Sequence, residues 1–300
     1  MVATALKIAA RELETRPLKP GFGVEILDLD LATAPEEDLL GFDAVFNSNP
    51  VVVVRNQTLT AAQVVKVSER MGRISAQHRV GPHPEFPAIT ILSNKKVDGK
   101  PIGAHEAGRN WHTDGTTYAK LGLITMLYGI ECPPEGGDTL IADAATAYDD
   151  LTDAQKSEVD QIQVVHNRAH LIQKYNRAVL TAEDLEKMKD VLHPAVVTSP
   201  LDGRKAFFLT NGSTKGVVGM SDEDGVALVK KWINHVVQDK YVYRHQWQAG
   251  DVLIWNDMCT MHSATHYDDT KYDRLVYRTW MRPFDVAAST TRIEEMFGAH

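Results

Sequence analysis

Polar and apolar residues alternate through Gly23-Val24-Glu25-Ile26-Leu27-Asp28-Leu29, the period-two pattern of a strand with one buried face. Val51 to Val54 is a continuous β-branched run after Pro50 and predicts a strand buried on both faces. The period then changes. Over residues 60–71, Val64, Val67 and Met71 recur at helical spacing, with Thr60 placed to cap the start and Gly72 just past the end. From residue 89 onward, short apolar stretches recur at 89–92, 121–130, 139–142, 162–166, 195–198, 206–209, 252–255 and 275–281. Turn-forming groups such as Asp98-Gly99, Pro133-Pro134, Gly136-Gly137, Asp202-Gly203 and Gly250-Asp251 separate them. Helices are expected at 147–156, 182–191 and 222–238; the last is capped by Ser221 and carries Val226, Val229, Trp232, Ile233, Val236 and Val237 on one face. Many short strands punctuated in this way predict a mainly β fold with peripheral helices, an antiparallel sandwich or jelly roll. No repeat, low-complexity tract or linker divides the chain, so one domain over residues 1–300 is expected.

The chain has 300 residues, enough to bury well over half of its unfolded surface without staples. Cys132 and Cys259 are too few for a disulfide framework and lack the paired spacing of a zinc site, which fits a reducing compartment. The net charge of −8 argues against a nucleic-acid partner, which would need a basic footprint. An acidic protein can still hold a locally basic pocket for a small anion. Residues 1–18 lack the apolar core of a signal peptide, and no run is long enough to span a bilayer. The expectation is a cytoplasmic protein with a small-molecule partner and no membrane partner; a homo-oligomer is compatible with the composition.

Candidate chemistry centres on Asn110-Trp111-His112-Thr113-Asp114-Gly115. In extended backbone His112 and Asp114 point to the same face. An imidazole and a carboxylate so placed can take adjacent corners of one metal, and a second histidine would complete a facial triad with three open positions. A His-x-Asp tripeptide is common by chance, and a solvated loop histidine is the plain alternative. Its company matters more. A Gly250-Asp251 turn leads into the apolar Val252-Leu253-Ile254-Trp255 and on to His262. Arg274 and Arg278 then sit among apolar residues, where an unpaired guanidinium is costly unless it meets a carboxylate bidentately. Internal salt bridges would satisfy them equally well.

Taken in order, these segments resemble the taurine dioxygenase and phenoxyacetate-herbicide dioxygenase family of Fe(II)/2-oxoglutarate-dependent oxygenases. The resemblance runs from Gly23-Val24-Glu25-Ile26 and Val52-Val53-Val54-Arg55-Asn56-Gln57 through Trp111-His112-Thr113-Asp114 and Gly136-Gly137-Asp138-Thr139 to the segment 262–278. It implies a double-stranded β-helix fold and an enzyme that uses Fe(II), 2-oxoglutarate and O2. His112, Asp114 and His262 match the iron ligands. Thr139 and Arg274 match the residues that hold the distal carboxylate of 2-oxoglutarate, and Arg278 the arginine that grips a substrate anion. The interval from His262 to Arg274 is one residue longer than usual, which leaves His266 as a rival third ligand; the resemblance favours His262.

Substrate recognition is expected from loops before the iron motif, with His78, Asn94 and Arg109 as candidates beside Arg278. Their cationic and polar character suits a carboxylate, aryloxy acid or sulfonate. Gly108 stands where the taurine enzyme carries an amide side chain, and Tyr241-Val242-Tyr243-Arg244-His245-Gln246-Trp247 leans towards the phenoxyacetate branch. The implied reaction is hydroxylation, with cleavage where the hydroxyl lands beside a heteroatom. Asp114 argues against halogenation, for which relatives replace that carboxylate. Desaturation or cyclisation on the same scaffold, and a metal-binding jelly roll without turnover, are the competing expectations.

Overall fold

The computed structural model describes residues 8–75, 81–105, 108–119, 124–175, 178–200 and 202–282. Its largest sheet runs in the order Thr15–Lys19, Phe22–Ile26, Val51–Val54, Val252–Asn256, Ile124–Glu131, Leu275–Arg282 and Arg73–Ile74, with Thr90–Ser93 also paired to Leu275–Arg282. Phe22–Ile26 and Val51–Val54 run parallel; the other pairs in this sheet are antiparallel. A smaller antiparallel sheet places Thr139–Asp143 between Val242–His245 and Thr260–Ala264.

The valine run explains how the layers stack. All four side chains of Val51–Val54 are buried, and successive residues point to opposite sides. Val52 and Val54 join Phe42 and Phe46 of helix Glu36–Ser48 and Val64, Val67 and Met71 of helix Ala61–Met71. Val51 and Val53 join Leu127, Leu253, Trp255 and Val276 of the large sheet and Ile141 of the small one. Each buried valine contributes about 1.5–3 kcal/mol of transfer free energy. On the far side of the small sheet, Ala142 and Met261 pack against Trp232, Ile233 and Val236 of helix Asp222–Val236. The layers are therefore helix, large sheet, small sheet, helix, and the middle core binds the two sheets face to face.

Helix Ala61–Met71 begins with the expected cap: Thr60 Oγ1 accepts from the Gln63 N–H, and the Gln63 side chain accepts from the Thr60 N–H at 2.8 Å. The helix expected at 147–156 is two helices, Ala144–Asp149 capped by Asp143 and Asp153–Val159 capped by Thr152. The helix expected at 182–191 stops at Lys187, because Asp190–Pro194 pairs as a strand with Gln163–Asn167. Helices Glu36–Ser48 and Arg168–Lys174 were not anticipated by the sequence pattern. Among the described residues no helix is long and apolar enough to cross a membrane.

Candidate metal centre and its cavity

Strand Thr260–Ala264 pairs on one side with Thr139–Asp143, and on the other with the segment that carries His112. The Ala264 N–H donates to the Gly108 carbonyl at 2.8 Å, and the Thr113 N–H to the Leu209 carbonyl at 3.1 Å. His112 is thus held from both sides, bridging His262 and Thr210. Directly opposed residues project to the same face, and the two imidazole rings lie 4.1 Å apart. Asp114, two residues on, completes the group. One potential donor atom from each of His112, Asp114 and His262 lies within 4.8 Å of the others. His112 Nε2 is 3.8 Å from Asp114 Oδ1, and His262 Nε2 is 4.0 Å from Asp114 Oδ2.

The protonation pattern suits a cation. His112 Nδ1 lies 2.6 Å from the Asn110 carbonyl oxygen. A carbonyl only accepts, so Nδ1 carries the proton, and Nε2 is the ring nitrogen turned towards Asp114. Burial holds His262 well below its ordinary value and keeps it neutral. Burial alone would raise the Asp114 carboxyl, but the Arg278 guanidinium foremost, with the hydrogen bond from Thr125, holds it well below the usual carboxylate range. Two imidazoles and one carboxylate, converging with open space on one side, can hold a first-row divalent metal such as iron(II).

A second buried carboxyl stands behind Asp114. The Thr125 hydroxyl oxygen is 2.6 Å from Asp257 Oδ2 and 3.2 Å from Asp114 Oδ2, while the Trp255 indole N–H donates to Asp257 Oδ1 at 2.8 Å. Burial, and then the charge of Asp114, push Asp257 up to about 8. One hydroxyl proton cannot serve two carboxylates. With Asp257 protonated the proton count closes: its O–H donates to Thr125, and the Thr125 O–H donates to Asp114.

A cavity of about 600 Å³ opens on the triad and is lined also by Thr139, Arg274 and Arg278. Thr139 lies opposite Ala264 in register, and its oxygen accepts the Trp247 indole N–H at 3.0 Å. That leaves the Thr139 hydroxyl proton to donate elsewhere. Among the described residues no carboxylate pairs with Arg274, and its buried Nε lacks a hydrogen-bond partner. Burial pulls its pKa down from the usual guanidinium value. A buried, uncompensated guanidinium is a strong candidate receptor for a carboxylate. Arg278 places one terminal nitrogen 3.6 Å from Asp114 Oδ2, and its Nε is likewise buried without a partner.

Comparison with known proteins places this chain in a family. The model of the taurine catabolism dioxygenase TauD, TfdA family matches residues 14–280. The chain belongs to that family. It is 28% identical over 258 residues to an alpha-ketoglutarate-dependent 2,4-dichlorophenoxyacetate dioxygenase of Burkholderia sp. (strain RASC), covering 82% of this chain and 86% of that one. It is 28% identical over 281 residues to an alkylsulfatase of Acinetobacter baylyi, covering 88% and 84%. The crystal structure of a taurine dioxygenase from Burkholderia xenovorans superposes with a TM-score of 0.74 at 25% identity, covering 91% of this chain and 92% of that one.

Of the substrate-contact expectations for this TauD/TfdA-family chain, His78 lies outside the described residues. Asn94 has a different job from the one expected. Its Oδ1 accepts the Arg274 N–H at 2.8 Å, and its Nδ2 donates to the carbonyls of Asp269 and Tyr272 at 3.1 and 3.0 Å. Asn94 therefore spends its polar atoms holding the loop that presents Arg274, and it does not line the large cavity. Arg109 lines a separate cleft of about 30 Å³ with His105, Tyr267 and Arg274. His266 is outside the triad cluster; its carbonyl accepts the Gly137 N–H at 3.1 Å. Within the 241–247 run, Val242–His245 pairs with Thr139–Asp143, which sets His245 opposite Thr139, and Trp247 donates to the Thr139 hydroxyl. Thr125, Asp257 and Arg168, which the sequence reading passed over, have no local motif to mark them; the polar pair Asn256-Asp257 after a buried strand is the one signal that could have flagged Asp257.

Proposed function

We propose that this chain is an Fe(II)- and 2-oxoglutarate-dependent dioxygenase that hydroxylates a small organic anion (a carboxylate, aryloxy acid or sulfonate), with cleavage where the hydroxylated carbon bears a heteroatom. The two facing sheets are read as the double-stranded β-helix, or jelly roll, of the family. His112, Asp114 and His262 would hold the iron. Thr139 and Arg274 would take the far carboxylate of 2-oxoglutarate, the one by its free hydroxyl proton, the other by its unpaired fork. The chemistry supplied when metal and co-substrate are bound is oxidative decarboxylation of 2-oxoglutarate to succinate and carbon dioxide, coupled to insertion of one oxygen atom of O2 into a substrate C–H bond.

The protein's own work is positioning and exclusion of water. The Asn110 carbonyl fixes the His112 tautomer. Thr125 steadies Asp114. Arg278, beside Asp114, anchors the substrate anion next to the metal. Leu127 and Trp280 form an apolar wall of the same cavity. Relatives named for 2,4-dichlorophenoxyacetate and for alkyl sulfates support an anionic head on an apolar body.

One observation carries the reading: the triad shares its cavity with a half-buried arginine whose Nε is enclosed and which has no carboxylate partner among the described residues. A bare metal-binding scaffold has no use for that arginine. Anaerobic addition of iron(II) and 2-oxoglutarate should produce a visible charge-transfer band. Its absence at saturating metal would overturn the proposal. Small carboxylates, sulfonates and aryloxy acids, screened for stimulated succinate release, then identify the substrate.

A further inference from the structure

The same cavity has a second cationic wall. Helix Arg168–Lys174 contributes Arg168, Leu171 and Ile172 to its lining, and Tyr118 lies against Arg168. One Arg168 terminal nitrogen donates to the Tyr118 hydroxyl at 2.7 Å, and the guanidinium carbon sits 5.6 Å from the Tyr118 ring centre. Tyr118 in turn packs on Trp280, with ring centres 5.8 Å apart. Trp280 follows Arg278 by two residues on strand Leu275–Arg282, roughly 7 Å along it and on the same face. Two guanidiniums are thus joined along the cavity wall by a pair of aromatic rings.

Arg168 is not neutralised. Among the described residues no carboxylate pairs with it, and the contact with Tyr118 uses one of the five donors that a guanidinium offers. Besides Asp114 the lining holds one other acidic residue, Asp184, which accepts from both the N–H and the hydroxyl of Thr181 as part of a helix cap. A fork tethered to tyrosine through one donor, with others to spare, is prepared for an oxyanion. Leu171 and Ile172 on one side and Leu127 on another supply apolar surface within the same cavity.

We propose that the substrate is a diacid: an apolar body with one acidic group at Arg278 beside the metal and a second at Arg168. Arg168 is then a specificity-determining residue. The inference rests on the dioxygenase reading of this cavity, because Arg278 and the triad define its near end.

The test separates the two. Wild type and Arg168→Gln are loaded anaerobically with iron(II) and 2-oxoglutarate, and the charge-transfer band reports the base reading in each. Matched pairs are then titrated into the loaded protein: para-carboxyphenoxyacetate against para-methylphenoxyacetate, and suberate against octanoate. In wild type at least one diacid should bind about tenfold or more tightly than its mono-acid partner, the scale of one charge-assisted hydrogen-bonded pair. In Arg168→Gln that ratio should fall to within about twofold. If the band forms but no diacid outbinds its partner, or the glutamine variant keeps the preference, the diacid assignment falls while the oxygenase reading stands. If wild type gives no band, the oxygenase reading itself has failed.

Discussion

His112 and His262 form a directly opposed antiparallel pair in which each peptide N–H donates to the other's carbonyl, at 2.9 and 2.8 Å. The metal-binding geometry is therefore built into the backbone, and the imidazoles are carried by it. Removing a side chain should spare the fold and destroy the site. His112→Ala and Asp114→Ala should keep the wild-type circular dichroism spectrum while losing iron(II) affinity by more than about 100-fold, beyond the range of outer-shell changes. The charge-transfer band should vanish in both. Either variant retaining the band at wild-type iron affinity would remove that residue from the ligand set.

Much of this frame is legible locally. Thr60 and Gln63 make their reciprocal cap within four residues, and four consecutive valines have nowhere to go but a doubly buried strand. Helix Glu36–Ser48 escaped because Pro35 offers no side-chain cap, and its buried positions Gly41, Phe42 and Phe46 make a narrow apolar stripe. The region 182–191 misled because its last residues answer to a partner strand beginning at Gln163 rather than to their own periodicity. At the site, His112 and Asp114 share a motif, and His262, Thr139 and Arg274 follow from the family resemblance. Thr125 and Asp257 meet across 132 positions of sequence, and nothing in either neighbourhood encodes that contact. Asn94 was misjudged for the same reason. Its partner is the backbone of Arg274, 180 residues away.

Arg274 should be the most sensitive reporter of co-substrate binding. Its guanidinium is buried and lacks a carboxylate partner among the described residues. Arg274→Gln should raise the 2-oxoglutarate concentration needed for the band by about 10- to 100-fold, as expected for losing a bidentate charged pair. Titrating 2-oxoglutarate at saturating iron measures this. An unchanged midpoint would mean that the co-substrate's far carboxylate goes elsewhere.

Trp247 acts one step behind. By donating to Thr139 Oγ1 it orients that hydroxyl without needing to reach the cavity. Trp247→Phe keeps the ring and removes the donor. The 2-oxoglutarate midpoint should rise by about three- to tenfold, the worth of one buried neutral hydrogen bond, with iron(II) affinity unmoved. A parallel loss of iron affinity would point instead to general loosening of the core around Trp247.

Arg278 should separate substrate binding from co-substrate turnover. Arg278→Ala is expected to raise the KM for the anionic substrate by about 10- to 100-fold. Slow, substrate-independent decay of 2-oxoglutarate to succinate should persist, since Arg274 and Thr139 remain. Unchanged substrate kinetics would take Arg278 out of the pocket.

Asp257 sets a pH dependence whose sign can be worked out for the metal-free chain. Folded Asp257 keeps its proton up to about 8, whereas an unfolded aspartate releases it near pH ~4. The folded state therefore binds more protons across that interval, and this group makes stability fall as pH rises through it, levelling off above about 8. His166 and His193, pushed down to about 3 and about 4 by burial, act oppositely below their ordinary value of 6.5, since there the unfolded chain binds the extra protons. At pH 6.5 the unfolded histidines are still half protonated, so up to about 7.5 their slope opposes that of Asp257, and the Asp257 share is the difference between wild type and a variant without that carboxyl. Asp257→Asn keeps an acceptor for Trp255 and supplies a permanent donor to Thr125. Between pH 6.5 and about 8, thermal melts of the metal-free wild type should lose stability relative to the asparagine variant, since the histidine slope is common to both. A difference in melting temperature between the two proteins that stays constant across the window would mean that Asp257 is already ionised, with Thr125 then unable to donate to both carboxylates.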